Sequence, residues 1–174
     1  MKRAILLLIP VFLAISCKQN KLDNAQALQL LRESKRYPQT LTADINPADP
    51  NLVSSLTNTR LEKAGLIEIH EAMSLGEMGQ AQIIFTKKAA PYLIPPSGQD
   101  QQAGIQRVKI ADEVLLSVTS VTTTDDNRKA IANYVTTYRN ITPFSVLSPI
   151  KVNTQEHKKE AHFSFVGEKW QLDK

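Results

Sequence analysis

The sequence predicts an α+β chain, with a helical module over residues 24–94 and, after it, an antiparallel β-sheet of about four strands over residues 104–174. Three observations predict it. Ala27, Leu28, Leu30 and Leu31 form an apolar stripe with helical spacing. Val108, Ile110, Val114, Leu116 and Val118 fall on one parity, the mark of a strand with one buried face. Near the end, Phe163 and Phe165 alternate, Gly167-Glu168 forms a tight turn, and Trp170 and Leu172 alternate on the return, which describes a hairpin.

In chain order, a helix is expected from Asn24, its N-cap, to Lys35, ended by Tyr37-Pro38 because the residue before proline avoids the helical region. Residues 42–51, with Asp44, Pro47, Asp49 and Pro50, read as a loop. A second helix is expected over Asn51–Ala64, closed by Gly65 in a left-handed conformation. Leu66–Ile69 and Ala81–Thr86 read as a strand pair with a long tip, and residues 87–93 as a helical turn. Residues 95–103, starting Pro95-Pro96-Ser97-Gly98, read as the linker. In the second half, Asp112 sits on the apolar parity and is expected to mark a bend or bulge. Asp125-Asp126-Asn127 reads as a turn, Ile131–Ile141 as a long strand, and Pro143–Lys151 as irregular.

The N-terminus reads as an address. Met1-Lys2-Arg3 is basic, and an apolar run from Ala4 to Ile15 follows. That run has the length of a secretory signal, roughly 7–15 residues, and is short of the roughly 20 a bilayer span needs. Leu13-Ala14-Ile15-Ser16-Cys17 resembles the lipobox of bacterial lipoproteins, although Ile15 is larger than the small residue common there. The resemblance implies a signal peptide over residues 1–16, diacylglycerol on the Cys17 thiol, acylation of the new amino terminus, and a tether over residues 17–23. Lys18 follows the cysteine where aspartate would favour inner-membrane retention, so the resemblance implies the outer membrane, facing the periplasm. Two or three acyl chains hold firmly where one holds marginally. Cys17 is the only cysteine, so the exported domain has no internal disulfide and folds on its core alone.

The formal charge of the whole chain is +4; without Lys2 and Arg3, nineteen basic residues face seventeen acidic ones, a charge of +2. This near balance gives no electrostatic footprint for nucleic acid. The stretch Arg60–Ile67 with Ile83–Leu93 resembles the winged-helix domain of bacterial regulators, in which a helix closes on glycine, two wing strands follow, and Leu-Thr opens the next helix. DNA reading by that fold needs basic and amide side chains early in its third helix. Here that start is Pro50-Asn51-Leu52-Val53-Ser54-Ser55, and an exported chain meets no chromosome. The resemblance therefore implies a scaffold for protein contact, with no nucleic acid as partner.

Catalytic and metal constellations are not legible, and no cofactor is implied. His70-Glu71-Ala72-Met73-Ser74 starts like a zinc-protease helix, but Ser74 stands where the second histidine is required. Glu68 and His70 share a strand face and read as a surface pair. His157 and His162 suit neither one helix face nor one strand face as ligands. Ser74 lacks the preceding glycine of a nucleophile elbow. Asp125 and Asp126 are turn formers before they are a catalytic pair, and Lys151, Lys158 and Lys159 form a small basic cluster.

Tyr134, Tyr138, Phe144 and Trp170 are the candidates for a binding surface, Tyr134 and Tyr138 sharing one strand face; otherwise such aromatics cover a hydrophobic layer. The long strands with the closing hairpin resemble small sheet domains of the cystatin-like sort, many of which bind or dock. The expectation is a non-enzymatic, lipid-anchored envelope protein that contacts the membrane through Cys17 and binds an envelope protein or component. A small-ligand-binding or inhibitor (immunity-like) lipoprotein using the C-terminal sheet, and a hydrolase whose residues converge only in space, stand as alternatives.

Overall fold

The computed structural model describes residues 21–35, 37–70 and 80–173. The expected signal segment, Cys17 and Lys18 lie outside the described residues, as do Glu71, Met73, Ser74, Gly76 and Gly79 after His70. The elements are α1 (Asn24–Lys35), β1 (Gln39–Ile45), α2 (Pro50–Leu56), α3 (Arg60–Lys63), β2 (Ile67–Ile69), β3 (Ile83–Phe85), a 3₁₀ turn over Lys87–Tyr92, β4 (Leu93–Ile94), α4 (Gly98–Gln102), β5 (Gln106–Thr123), β6 (Lys129–Arg139), a 3₁₀ turn over Pro143–Leu147, β7 (His157–Val166) and β8 (Lys169–Leu172).

A six-stranded antiparallel sheet dominates, in the order β1-β5-β6-β7-β8. β4 pairs with Arg107 and Val108 of β5, on the edge that β6 leaves free beyond Asp112. The expected four strands are all present, and the first half adds two. Residues 42–45, expected as loop, belong to β1, which pairs with β5 from Gln39↔Glu113 to Ile45↔Gln106. The turn-forming Asp44 does not break the strand, because its carboxylate points outward and accepts from Arg107 Nε at 2.7 Å. In the segment expected to be a linker, Ser97 and Asp100 form a reciprocal capping box that starts α4.

β5 is longer than its partners and carries the irregularities. Its ladder with β1 skips Ile110, a bulge two residues before the bend expected at Asp112. This extra residue reverses the parity: Val108 and Ile110 are buried, but beyond them it is Ala111, Glu113 and Leu115. The single apolar parity read from Val108 to Val118 therefore breaks there, and Val114 and Leu116 are only half-buried. Two further shifts against β6, at Leu115/Ser117 and Val118/Ser120, place Glu113, Leu115, Val118, Val121 and Thr123 opposite Tyr138, Thr136, Tyr134, Ala132 and Ala130. Each adds backbone to β5 without losing the inward face, so the sheet curls.

α1 fills the curl. Asp23, not Asn24, caps it, accepting the Gln26 N–H at 2.7 Å; a carboxylate there also meets the positive end of the helix dipole. Ala27 and Leu31, both fully buried, pack with Leu115, Ala130, Ala132, Ala161, Phe163 and Trp170. The helix backbone comes closest to β5 and β8, and it spans the small alanines of β6 and β7 between them. A second cluster joins Ile45, Val53, Leu56, Leu61, Leu66, Ile67 and Ile83 to Val108 and Phe144, so residues of both halves share it.

The long helix expected over Asn51–Ala64 is two short ones. Thr57 and Thr59 turn their hydroxyls back onto Val53 and Leu56 carbonyls, and Asn58 takes φ 61° between them. Such side chains compete with the helix ladder, and asparagine tolerates the left-handed region. Gly65, at φ 67°, closes α3 as expected: its N–H reaches the Glu62 carbonyl and the Leu66 N–H reaches Leu61. The turns at Asp125-Asp126-Asn127 and Gly167-Glu168 also form as expected.

Candidate functional site

The inward row of β6 runs Ala130, Ala132, Tyr134, Thr136, Tyr138 and changes character where α1 ends. Beneath α1 it is small and apolar. Beyond Lys35 it meets a polar cluster drawn from four segments. Glu113 of β5 accepts from Thr136 Oγ1 at 2.7 Å and is ion-paired to Lys159 Nζ of β7. The Glu113 side chain is 10% exposed and that of Lys159 35%, so the pair spans from interior to surface. Tyr37, just past α1, hydrogen-bonds with Tyr134, and the Tyr138 ring packs on His157 with centroids 5.0 Å apart.

Electrostatics keep the phenols protonated. Burial, the Tyr134 hydrogen bond and the nearby Glu113 carboxylate hold the Tyr37 hydroxyl far above the usual tyrosine range. Burial, then Glu113, raise Tyr138 as well, with Lys159 partly offsetting them. Neither shift moves an acid or base toward neutral pH, where proton transfer in catalysis is most effective. Glu113, Thr136 and Lys159 satisfy one another across three strands, an arrangement suited to fixing the register of β5, β6 and β7. His157 Nε2 and Trp170 Nε1 are buried without a hydrogen-bond partner.

The four aromatics named as a binding surface do not form one. Tyr134, Tyr138, Phe144 and Trp170 are 3%, 5%, 0% and 4% exposed, and they divide among three core clusters. Tyr134 and Trp170 lie under α1, Tyr138 packs near Ile110 and Ala111, and Phe144 sits against Phe85 and Tyr92. Tyr134, Tyr138 and Trp170 cover hydrophobic layers because the curled sheet turns their face inward, and Phe144 because its 3₁₀ turn folds onto the second cluster. Of the cluster that does converge, Glu113, Thr136 and Tyr37 were not singled out from sequence. One signal was available: Lys159 shares the parity of Ala161 and Phe163, and a lysine on an apolar parity requires a carboxylate partner. The basic cluster separates accordingly, with Lys158 exposed on the opposite face from Lys159.

The histidines behave as surface groups where they are exposed: His70 lies 3.9 Å from Glu68, and His162 3.1 Å from Glu160. Among the described residues, no group of three or more His, Cys, Asp or Glu is placed to hold a metal ion, and no helix is long and apolar enough to cross a membrane.

Two clefts lie at the end of the sheet where the β5–β6 turn meets the start of the described chain. One, of about 220 Å³, is lined by Ala130, Ile131, Phe163 and His162. The other, of about 520 Å³, is more polar, and Lys21, Leu22 and Thr122 to Asp125 line it.

The surface carries a different feature. Of the large apolar side chains exposed among the described residues, Ile141, Val146 and Ile150 fall within ten residues, at 37%, 56% and 51%. Their segment is firmly held. The Thr142 N–H donates to the Ile110 carbonyl, Thr142 Oγ1 caps the 3₁₀ turn by accepting from the Phe144 N–H, and Phe144 is fully buried. Leu147 and Val152 pack inward with Ile110 and Tyr138. Comparison of the chain with protein-family models, curated proteins and solved structures finds no match.

Proposed function

We propose that this chain is a bacterial envelope lipoprotein, anchored through Cys17 to the outer membrane on its periplasmic side, which acts by binding another envelope protein and not by catalysis. The observation that carries the binding reading is the exposure of Ile141, Val146 and Ile150 on a segment pinned by Thr142 and Phe144. Exposed apolar side chains on a rigid support bind at a small entropic cost, since little has to be ordered on contact. α1 covers the apolar part of the inward face, from Ala130 to Tyr134, which disfavours a ligand pocket between them. The helix, helix and hairpin of α2, α3, β2 and β3 are read as the winged-helix-like scaffold turned to protein contact. The anchor reading rests on the lipobox-like segment, and the fold is compatible with it. Leu22 is 4% exposed in the core, so the folded body starts five residues after Cys17, within about 17 Å of extended chain. The end bearing the two clefts would then face the bilayer.

Two experiments test the two parts separately. Cys17→Ala should abolish lipid labelling and release the chain from membranes; a variant that still fractionates with membranes and keeps its label sinks the anchor. Val146→Asp with Ile150→Asp, in the lipidated full chain, should lose its crosslinked partner in intact cells while its melting temperature stays within a few degrees of the parent, as expected for surface substitutions. Retention of the same partners at the same yield sinks the binding surface.

A further inference from the structure

The two end strands of the six-stranded sheet are built differently. On the far side, β8 has four residues and starts with Lys169, and the stretch of β7 that β8 leaves uncovered carries Lys158, Lys159 and Glu160. Short length and lysines are the devices by which proteins keep an edge from pairing with another chain. β1 has neither. It runs seven residues, Gln39-Thr40-Leu41-Thr42-Ala43-Asp44-Ile45, without proline or a basic residue. The bulge in its ladder falls on β5, at Ile110, so β1 itself is unbroken. Its one charge, Asp44, is already neutralised by Arg107. Among the described residues, no backbone hydrogen bond joins Gln39–Ile45 to any strand but β5. Among the described residues, one row of its N–H and C=O groups is therefore without a strand partner.

We infer that β1 is a docking edge and that its occupant is β1 of a second copy of this chain, paired antiparallel about Thr42. The sequence is self-complementary in that register. Thr42 meets Thr42, Leu41 meets Ala43, and Thr40 meets Asp44, so no like charges oppose each other. Threonine–threonine and apolar cross-strand pairs are the favourable ones. A residue directly opposite its own copy also makes the interface two-fold symmetric, the commonest closed arrangement. Two six-stranded sheets would join as one, continuous through the paired β1 strands. The inference does not depend on the lipid anchor or on the apolar segment around Val146.

The register gives the test. With Thr42 opposite itself, the two Cα atoms lie about 5 Å apart, within disulfide range. Thr40 lies four residues out of register with its own copy, about 14 Å away, beyond that range. Thr42→Cys and Thr40→Cys are introduced singly into the full chain in native membranes, oxidised, and run on non-reducing gels beside the parent, which reports any contribution from Cys17. Thr42→Cys should give at least about tenfold more disulfide-linked dimer than Thr40→Cys. Equal yields, no dimer from either, or capture by Thr42→Cys of a different protein in place of a second copy would each overturn the inference. As a second measurement, the detergent-solubilised parent should have the mass of a dimer and Thr42→Lys that of a monomer, with circular dichroism unchanged. A monomeric parent at tens of micromolar, or a Thr42→Lys variant that remains dimeric, overturns it as well.

Discussion

Lys159→Met tests the role assigned to the Glu113–Lys159 pair. The substitution keeps the length of the side chain and removes its charge, leaving the Glu113 carboxylate at 10% exposure with the Thr136 hydroxyl as a donor. Breaking a fully buried pair costs about 3–5 kcal/mol. Lys159 is 35% exposed, so water screens part of the attraction, and the expected loss is about 2 kcal/mol. For a domain of this size that lowers Tm by about 4–8 °C. Glu113→Leu alone should lose less, about 1 kcal/mol, because the flexible lysine can swing its ammonium into water. With both changes no unpaired charge remains, and the double variant should come within about 1 kcal/mol of the parent. The cycle then returns a coupling of about 2 kcal/mol. Urea unfolding at pH 7, followed by the fluorescence of Trp170, the only tryptophan, reads all four proteins. A coupling below about 0.5 kcal/mol would refute the claim that this pair ties β5 to β7.

Two further outcomes follow from the structure. In the β7–β8 turn, Gly167 and Glu168 both have positive φ, 56° and 68°; Gly167→Ala should therefore lose about 1 kcal/mol and Glu168→Gly gain about 0.5–1 kcal/mol in the same urea assay. Burial disfavours the charge on Asp112, but hydrogen bonds from Lys109, Asn140 and Thr40 outweigh it and hold the carboxyl below its usual range. A depressed carboxyl contributes stability above its unfolded pKa, near 4, and loses it as pH falls through the folded value. Asp112→Asn should accordingly cost about 1 kcal/mol at pH 7, with the difference in stability shrinking as pH falls from its unfolded pKa through the folded value; a difference that stays constant across that window would refute the assignment.

Local chemistry was legible wherever neighbours in sequence decide the outcome. The span of α1, the Gly65 closure, the Asp125-Asp126-Asn127 turn and the Gly167-Glu168 hairpin all depend on contacts a few residues apart. Other features were misread because distant partners decide them. Residues 42–45 look like loop until β5 supplies hydrogen bonds, and the parity of β5 reads as one face until the bulge at Ile110 reverses it. Tyr134, Tyr138, Phe144 and Trp170 look alike in sequence, yet the tertiary structure buries them in three different clusters.

The sequence by itself determined the nearly balanced charge and the alternation that makes the second half a sheet. Each of these is written in composition or in a period of two residues, and needs no partner from elsewhere in the chain. Only the tertiary structure decided that Glu113, Thr136, Tyr37 and Lys159 meet, that Ile141, Val146 and Ile150 remain exposed, and that β1 is an open edge. Those properties are set by bulges and strand order. A single inserted residue turns a whole face over, and no local pattern records which strand lies alongside.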